Sequence, residues 1–403
     1  MKILLALFFA LTLIQILPLP PSVIKLLSPN AFEIFRGTGQ KGWLTLSLSP
    51  HLTAYELLKY ICYFLFGYLV FRYVRSRPQI EIFVWVMMAG AVFQSLYGLA
   101  EFFGGTHRIF GWKNVYYYDS AFGTFVNRNH FAGFLEMTLL ISIGCLLAKA
   151  DFFALKKGLS IRDKILWFSH ERLQKTILFG IAPVIIGIGL FFSRSRGGVF
   201  NFFVSILFMI TAISWTGKRG HISGTVRDQR SRTIIRTIFV IVVSVALLIG
   251  VSPLLLERFS PDLVRGEGRP VVYENTIEMM GQFPLFGTGP GTYVYAYPKY
   301  EKTGTSRLMD HAHNDYLELL AESGAIAGGC LLLSVFGTLI VLLGRWTKRR
   351  DYFVRGITIG CLAGIVAILV HSVGDFNLRI PANAIYFISL FALAMTTLQL
   401  KNR

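Results

Sequence analysis

Charge is scarce in this chain. Lys, Arg, Asp and Glu make up 15% of the 403 residues, and acids are the scarcer sign, 22 against 40 bases. With 54% of residues hydrophobic, that scarcity excludes most soluble classes. A net charge of +18 and an isoelectric point near 9.9 would suit a nucleic-acid partner, because clustered Lys and Arg neutralise phosphates. A mean hydropathy of +0.56 argues against that partner and for a lipid bilayer. Cysteine is also sparse: Cys62, Cys145, Cys330 and Cys361 lie in apolar stretches without metal-ligand spacing, which excludes a disulfide framework. Neither a fixed-period repeat nor a low-complexity linker divides the chain, so residues 1–403 read as one polytopic membrane domain.

What is present is a series of long apolar runs. A bilayer core of roughly 30 Å needs about 20 apolar residues per helix. Ten stretches come near that length: Lys2 to Leu17, Tyr55 to Phe71, Ile80 to Phe103, Phe131 to Ala148, Ile177 to Phe192, Val199 to Trp215, Ile234 to Val251, Leu319 to Leu343, Gly356 to Val373 and Asn383 to Leu400. The expected fold is therefore all-α with about ten membrane helices. With both termini inside, 24 of the 40 basic residues fall in cytoplasmic segments, 15 on the opposite side, and Lys59 within a span. The cytoplasmic side then carries about +19 and the outer side only +3, which is the asymmetry that sets orientation. The first span, ended by Pro18, Pro20 and Pro21, reads as an uncleaved anchor, since no small-x-small cleavage site follows it.

The longest non-apolar stretch, 253–318, lies on the outer side between spans seven and eight. It is too short for a core of its own, and Val271, Val272, Ile277, Met279, Met280, Phe283 and Phe286 suggest short helices lying on the membrane face. The sequence Gly287-Thr-Gly-Pro-Gly291 lacks the strand and βαβ setting of a dinucleotide loop and reads as a tight turn.

Chemistry-bearing residues collect on that outer side. In Asp310-His311-Ala-His313-Asn314-Asp315-Tyr-Leu-Glu318, Asn314 is a plausible N-cap and Asp315 and Glu318 occupy the first helical turn. His311 and His313 precede the helix, where free amides favour an anion and a neutral imidazole can accept a proton. Capping, backbone bonding or metal ligation by His311, His313 and Asp315 are the alternatives. Arg194 and Arg196 stand in Ser193-Arg-Ser-Arg-Gly-Gly198 with almost no loop between two spans, and a guanidinium there can hold phosphate oxygens bidentately. Arg269 precedes Pro270, which suits a helix start, and Tyr273 follows four residues on. Arg128 stands at the mouth of span four. His371 and Asp375, spaced by four, are expected on one helix face beside Arg379. Trp43, Trp112 and Tyr116 to Tyr118 fall near outer span ends, where aromatic belts are expected.

Span count, Ser195-Arg196-Gly197, the Arg-x-x-x-Tyr of Arg269 to Tyr273, and His313 followed by Gly324 together resemble the bacterial O-antigen ligase and polysaccharide polymerase superfamily of C-type membrane glycosyltransferases. The resemblance is densest from Gly187 to Gly329. It implies transfer of a glycan from an undecaprenyl diphosphate carrier to an acceptor hydroxyl, on a glycan or on lipid A-core, at the periplasmic face of the bacterial inner membrane. It implies inversion at the anomeric carbon, no cofactor and no metal. Carried residue by residue, it makes His313 the base and Arg196 and Arg269 the diphosphate clamps. Arg194 assists, and Arg128, His311, Asp315, Tyr273, His371 and Asp375 remain candidate substrate contacts. Arg-x-x-x-Tyr departs from the ligase spelling Arg-x-x-x-Leu and leans toward polymerases. Two alternatives stay open: an O-linked protein oligosaccharyltransferase of the same superfamily, and a lipid-glycan or anion transporter using Glu56, Glu101 and Glu136, against which stands the lack of an inverted repeat or paired broken helices.

Overall fold

The computed structural model describes residues 1–149, 171–219, 269–302 and 308–401. The expected seventh span, Ile234 to Val251, the basic segments 150–170 and 220–236, and residues 253–268 and 303–307 of the long outer loop lie outside the described residues.

The described chain is helical apart from a two-residue hairpin and one isolated bridge. Its longer helices are α1 Lys2–Ile16, α2 Pro21–Leu27, α3 Pro29–Gly37, α4 Pro50–Tyr73, α5 Arg77–Phe103, α6 Arg128–Ala148, α7 Glu171–Phe192, α8 Arg196–Arg219, α9 Arg269–Gln282, α10 Asp315–Trp346, α11 Tyr352–His371 and α12 Pro381–Thr397, with short helical turns at Tyr293–Ala296, Tyr297–Tyr300 and Asn377–Arg379. Six of them, α4, α5, α6, α8, α10 and α11, are long and apolar enough to cross a membrane, and α1, the 180–192 part of α7 and α12 are shorter apolar helices. Local chemistry sets the boundaries. Ser76 and Gln79 form a capping box at α5, Asn127 accepts from the Asn129 amide at 2.8 Å to start α6, and prolines open α2, α3 and α12.

The chain divides into two compact units, each assembled from separate stretches of sequence. One comprises 67–259, 342–371 and 380–403. Its centre is α6, whose apolar window is 89% buried among α5, α7, α8, α11 and α12. Helix α11 approaches α6 through Gly356, Gly360 and Gly364, a small residue every fourth position. A Cβ on Gly144 would sit 2.5 Å from the Gly356 carbonyl oxygen, and one on Gly364 would sit 3.0 Å from that of Met137. Membrane helices lack a hydrophobic drive toward each other, so such close backbone contact supplies the attraction.

The other unit comprises 1–66, 260–341 and 372–379. Here the long outer loop packs against the first outer loop. Val272, Met279 and Phe283 of α9 pack with Ile24, Phe35, Leu44 and Leu46 from the first outer loop and with Tyr293 and Tyr297, whose rings stack at 5.1 Å. Neither loop carries enough apolar surface by itself, and together they close a core. Burial pushes Tyr297 up to about 12 and Tyr293 higher still, and their hydroxyls are met by Asn275 at 3.1 Å and Thr276 at 2.8 Å.

Helix α10, expected as one unbroken span from Leu319, is broken at Gly324 (φ 70°, ψ 171°). The segment 284–289 fills the break: the amides of Ala325 and Ile326 donate to the carbonyls of Pro284 and Leu285, while those of Thr288 and Gly289 donate to Ala321 and Glu322. A Cβ on Gly287 would come 2.2 Å from the Glu322 carbonyl oxygen, and one on Gly324 equally close to that of Leu285, so both positions require glycine. The break is tolerated at membrane depth because protein satisfies the freed backbone groups.

Gly144→Ala is expected to cost about 1–3 kcal/mol by wedging the α6–α11 crossing. Gly344→Ala, which meets open space, leaves stability unchanged. Thermal unfolding of the two variants in detergent separates them.

Candidate functional site

The first turn of α9 presents Arg269 and Tyr273 four residues apart, hence on one face. The Arg269 guanidinium donates to the Gly374 carbonyl at 2.7 Å, and the Tyr273 hydroxyl donates to the His313 carbonyl at 2.9 Å. One helix face thereby ties together two stretches far apart in sequence, 310–315 and 372–376. The spacing Arg-x-x-x-Tyr has a geometric meaning here, and the tyrosine hydroxyl does something that leucine cannot.

Asn314 is the N-cap of α10, its Oδ1 accepting from the amides of Tyr316 at 3.0 Å and Leu317 at 3.1 Å. The residue before it, His313, has φ 50°, a left-handed conformation that costs a side-chain-bearing residue and is held by its surroundings. Those surroundings are Tyr273 on the carbonyl, the Phe376 ring edge-on at 4.9 Å, and Asp375, whose Oδ1 lies 3.5 Å from Nδ1. The histidine side chain is 28% exposed and the aspartate 1%. No hydrogen bond joins Nδ1 to that carboxylate in this structure; a shortening of the contact to hydrogen-bond distance would fix the tautomer that leaves Nε2 as proton acceptor. Asp315 ties the same two stretches: its amide donates to the Ser372 carbonyl at 2.9 Å and its Oδ2 accepts from the Leu378 amide at 3.0 Å.

Behind His313 lies a buried charge network. Glu318 and Glu322, one helical turn apart on α10, both meet Arg379, at 3.2 Å from Nε and 2.6 Å from Nη2. Glu318 also meets His311 Nδ1 at 2.8 Å and the Ala312 amide at 2.8 Å, and Glu322 accepts from the Tyr293 amide at 3.0 Å. Two carboxylates against one guanidinium leave a deficit of one cation, which a protonated His311 fills. Burial works to lower the His311 pKa, but the bond to Glu318 and its negative charge outweigh burial, so the pKa stands above its ordinary 6.5. Burial likewise opposes the charge of Arg379, and the carboxylates around it prevail, holding it firmly protonated. The His311 ring stacks on Phe376 at 4.2 Å, so one phenyl ring contacts both histidines.

The remaining expected residues belong to the other unit. Arg128, at the start of α6, pairs with Asp119 at 3.2 Å and lies over the Tyr117 ring at 5.1 Å. Arg194, at φ 52°, shares Asp119 at 3.6 Å, so a single acid joins both arginines. Arg196 is the first residue of α8, after Ser195, whose Oγ accepts from the Gly198 amide at 3.2 Å. His371 and Asp375 do not share a helix face as the spacing suggested, because α11 ends at His371. His371 is buried with Nδ1 3.0 Å from Glu136, while Asp375 lies in the following turn and faces His313.

Sequence reading placed His313, Arg269, Tyr273, Asp315 and Asp375 among the candidates, and one unit brings all five together. It missed the network of Glu318, Glu322, Arg379 and His311. The signal for it was Glu322 within an apolar run, four residues after Glu318, since two acids on one buried face demand cations.

Residues 181–332 match a family model described as O-antigen ligase. The match takes in Arg194, Arg196, Arg269, Tyr273, His311, His313 and Asp315. No curated protein matches the chain.

Arg379→Ala leaves two buried carboxylates without their guanidinium and is expected to cost about 3–5 kcal/mol, read as lowered thermal stability in detergent. His311 is expected to titrate above 6.5 when followed by NMR on ring-labelled protein, and Glu318→Gln brings its midpoint down. Because the folded-state value is the raised one, this contribution to stability is fully present below 6.5 and fades as pH rises through the His311 midpoint.

Proposed function

We propose, from the match of residues 181–332 to the O-antigen ligase family model, that the chain is a member of the O-antigen ligase and polysaccharide polymerase superfamily and moves a glycan from undecaprenyl diphosphate to an acceptor hydroxyl at the periplasmic face of a bacterial inner membrane. A membrane role in glycan transfer follows from the family and from the apolar helices. The donor, the base and the clamps are the proposal. The observation that carries it is His313, partly exposed, with a buried carboxylate on its Nδ1 side and its carbonyl pinned by Tyr273.

In this reading His313 Nε2 takes the proton of the acceptor hydroxyl as the oxygen attacks the anomeric carbon. The bond from that carbon to the diphosphate oxygen breaks with inversion, and undecaprenyl diphosphate leaves carrying the electron pair. Arg269 meets the developing negative charge, held in advance by Gly374 so that little reorganisation is needed. Arg196, with Arg194 assisting, is proposed as a further phosphate contact, supported by its place at the first turn of α8. Asp375 keeps the tautomer of His313, and Tyr273 and Asp315 keep its strap in place. His311 is assigned to the charge network rather than to the donor. The chain as a whole is taken as one membrane enzyme with both termini cytoplasmic and loop 253–318 supplying part of its site.

The test is purified protein with an undecaprenyl-diphosphate-linked glycan and three acceptors: lipid A-core, a growing glycan and a serine-containing peptide. Transfer is expected to at least one of them, and the acceptor used separates ligase, polymerase and protein oligosaccharyltransferase. His313→Ala should lower the rate by about 10² to 10⁴. Asp375→Asn should lower kcat with little change in KM, and Arg269→Ala should lower kcat and kcat/KM together, as for a contact strongest in the transition state. Transfer undiminished in His313→Ala, or translocation of labelled carrier lipid across vesicles with no transfer at all, refutes the reading.

A further inference from the structure

Between α5 and α6 the chain forms a two-stranded hairpin, Arg108–Ile109 paired with Trp112–Lys113, that the glycan chemistry leaves unused. A two-residue ladder is too small to stand by itself, and this one is anchored to the end of α5. Glu101 accepts from the Thr106 hydroxyl and from the Arg108 amide at 2.8 Å. Tyr97 accepts from the Phe110 amide at 2.6 Å and donates to the Arg108 carbonyl at 3.2 Å. The turn is strained as well as anchored, since His107 and Phe110 have φ of 51° and 53°.

So firmly held a hairpin presents apolar rings to its surroundings. Phe110 is 66% exposed, Trp112 83% and Tyr116 73%, with Val115 beside them. Its register also sets Arg108 directly opposite Lys113, and like charges facing across a ladder repel. Among the described residues no ion pair within 4.0 Å joins either cation; the Arg108 charge acts on Glu101 at longer range, and Lys113 lies over the Tyr118 ring at 5.9 Å. An anion between them would remove the repulsion. The hairpin begins five residues after Phe103, the 68%-exposed last residue of a helix long enough to cross the bilayer, which puts it at the level of the membrane interface. Aromatic side chains favour that level, and basic ones there attract lipid phosphates.

We propose that the hairpin 108–113 is an anionic-phospholipid anchor: Phe110, Trp112 and Tyr116 enter the headgroup layer while Arg108 and Lys113 share a lipid phosphate. Phe110 and Val115 have no side-chain hydrogen-bonding group, which favours lipid over a sugar as the occupant.

The full chain is reconstituted in vesicles of phosphatidylcholine, alone or mixed with phosphatidylglycerol, and the emission of Trp112 is taken as wild type minus Trp112→Phe. Lipids brominated near the headgroup end of their acyl chains are expected to quench it, more strongly when phosphatidylglycerol is present. The double variant Arg108→Gln, Lys113→Gln, altered at two exposed positions, is expected to lose the phosphatidylglycerol-dependent part and keep the remainder. Emission quenched by aqueous iodide and untouched by bromolipid overturns the proposal, as does bromolipid quenching identical in the two kinds of vesicle. Emission that ignores bromolipid and responds to added soluble oligosaccharide also overturns it, by marking a glycan platform instead.

Discussion

Two carboxylates at the head of a membrane helix have to be neutralised, and the architecture around the candidate base follows from how that is done. Glu318 and Glu322 are almost wholly buried on one face of α10, and Arg379 is the guanidinium that meets both. Removing a charge from water costs several kcal/mol even after relaxation, so the pair persists only with its partners in place. Arg379 arrives from the turn after α11, and meeting the glutamates holds that turn against the start of α10. Asp375 and Phe376 of the same turn then face His313. His313, the proposed proton acceptor, is therefore placed by electrostatics that it takes no part in.

Tyr273 and Arg269 complete the arrangement from a third direction. Each binds a main-chain carbonyl, one on the strap that bears His313 and one on the turn that bears Asp375. Three segments distant in sequence converge by backbone and side-chain bonds, and the unfavourable dihedral of His313 is sustained by that convergence. The two histidines, two residues apart, then part company. His311 is drawn into the charge network and titrates with it, while His313, equally exposed, stands beside its aspartate. A shared Phe376 lies between the two roles.

Much of this was legible in the sequence because it depends on short-range rules. Apolar length gave the membrane helices, Asn314 announced its cap, and His313, Arg269 and Tyr273 stood out as polar residues between apolar runs. What was not legible is long-range. The loop around α9 is too short for a core of its own and closes one with residues 24–46, and no local pattern encodes that partnership. The run after Leu319 looked continuous, yet Gly324 breaks it, because segment 284–289 supplies the missing backbone partners. His371 and Asp375 had helical spacing, but α11 stops between them, and the partners of each come from other segments.

By itself the sequence determined that this is a membrane protein with long apolar helices and offered a set of candidate side chains, since hydropathy and capping act over a few residues. Tertiary structure alone decided which histidine is tied to a glutamate and which to an aspartate, which arginine neutralises the buried acids, and where α10 breaks. Those choices depend on distances between segments tens to hundreds of residues apart, and burial and Coulomb energy are set by such distances.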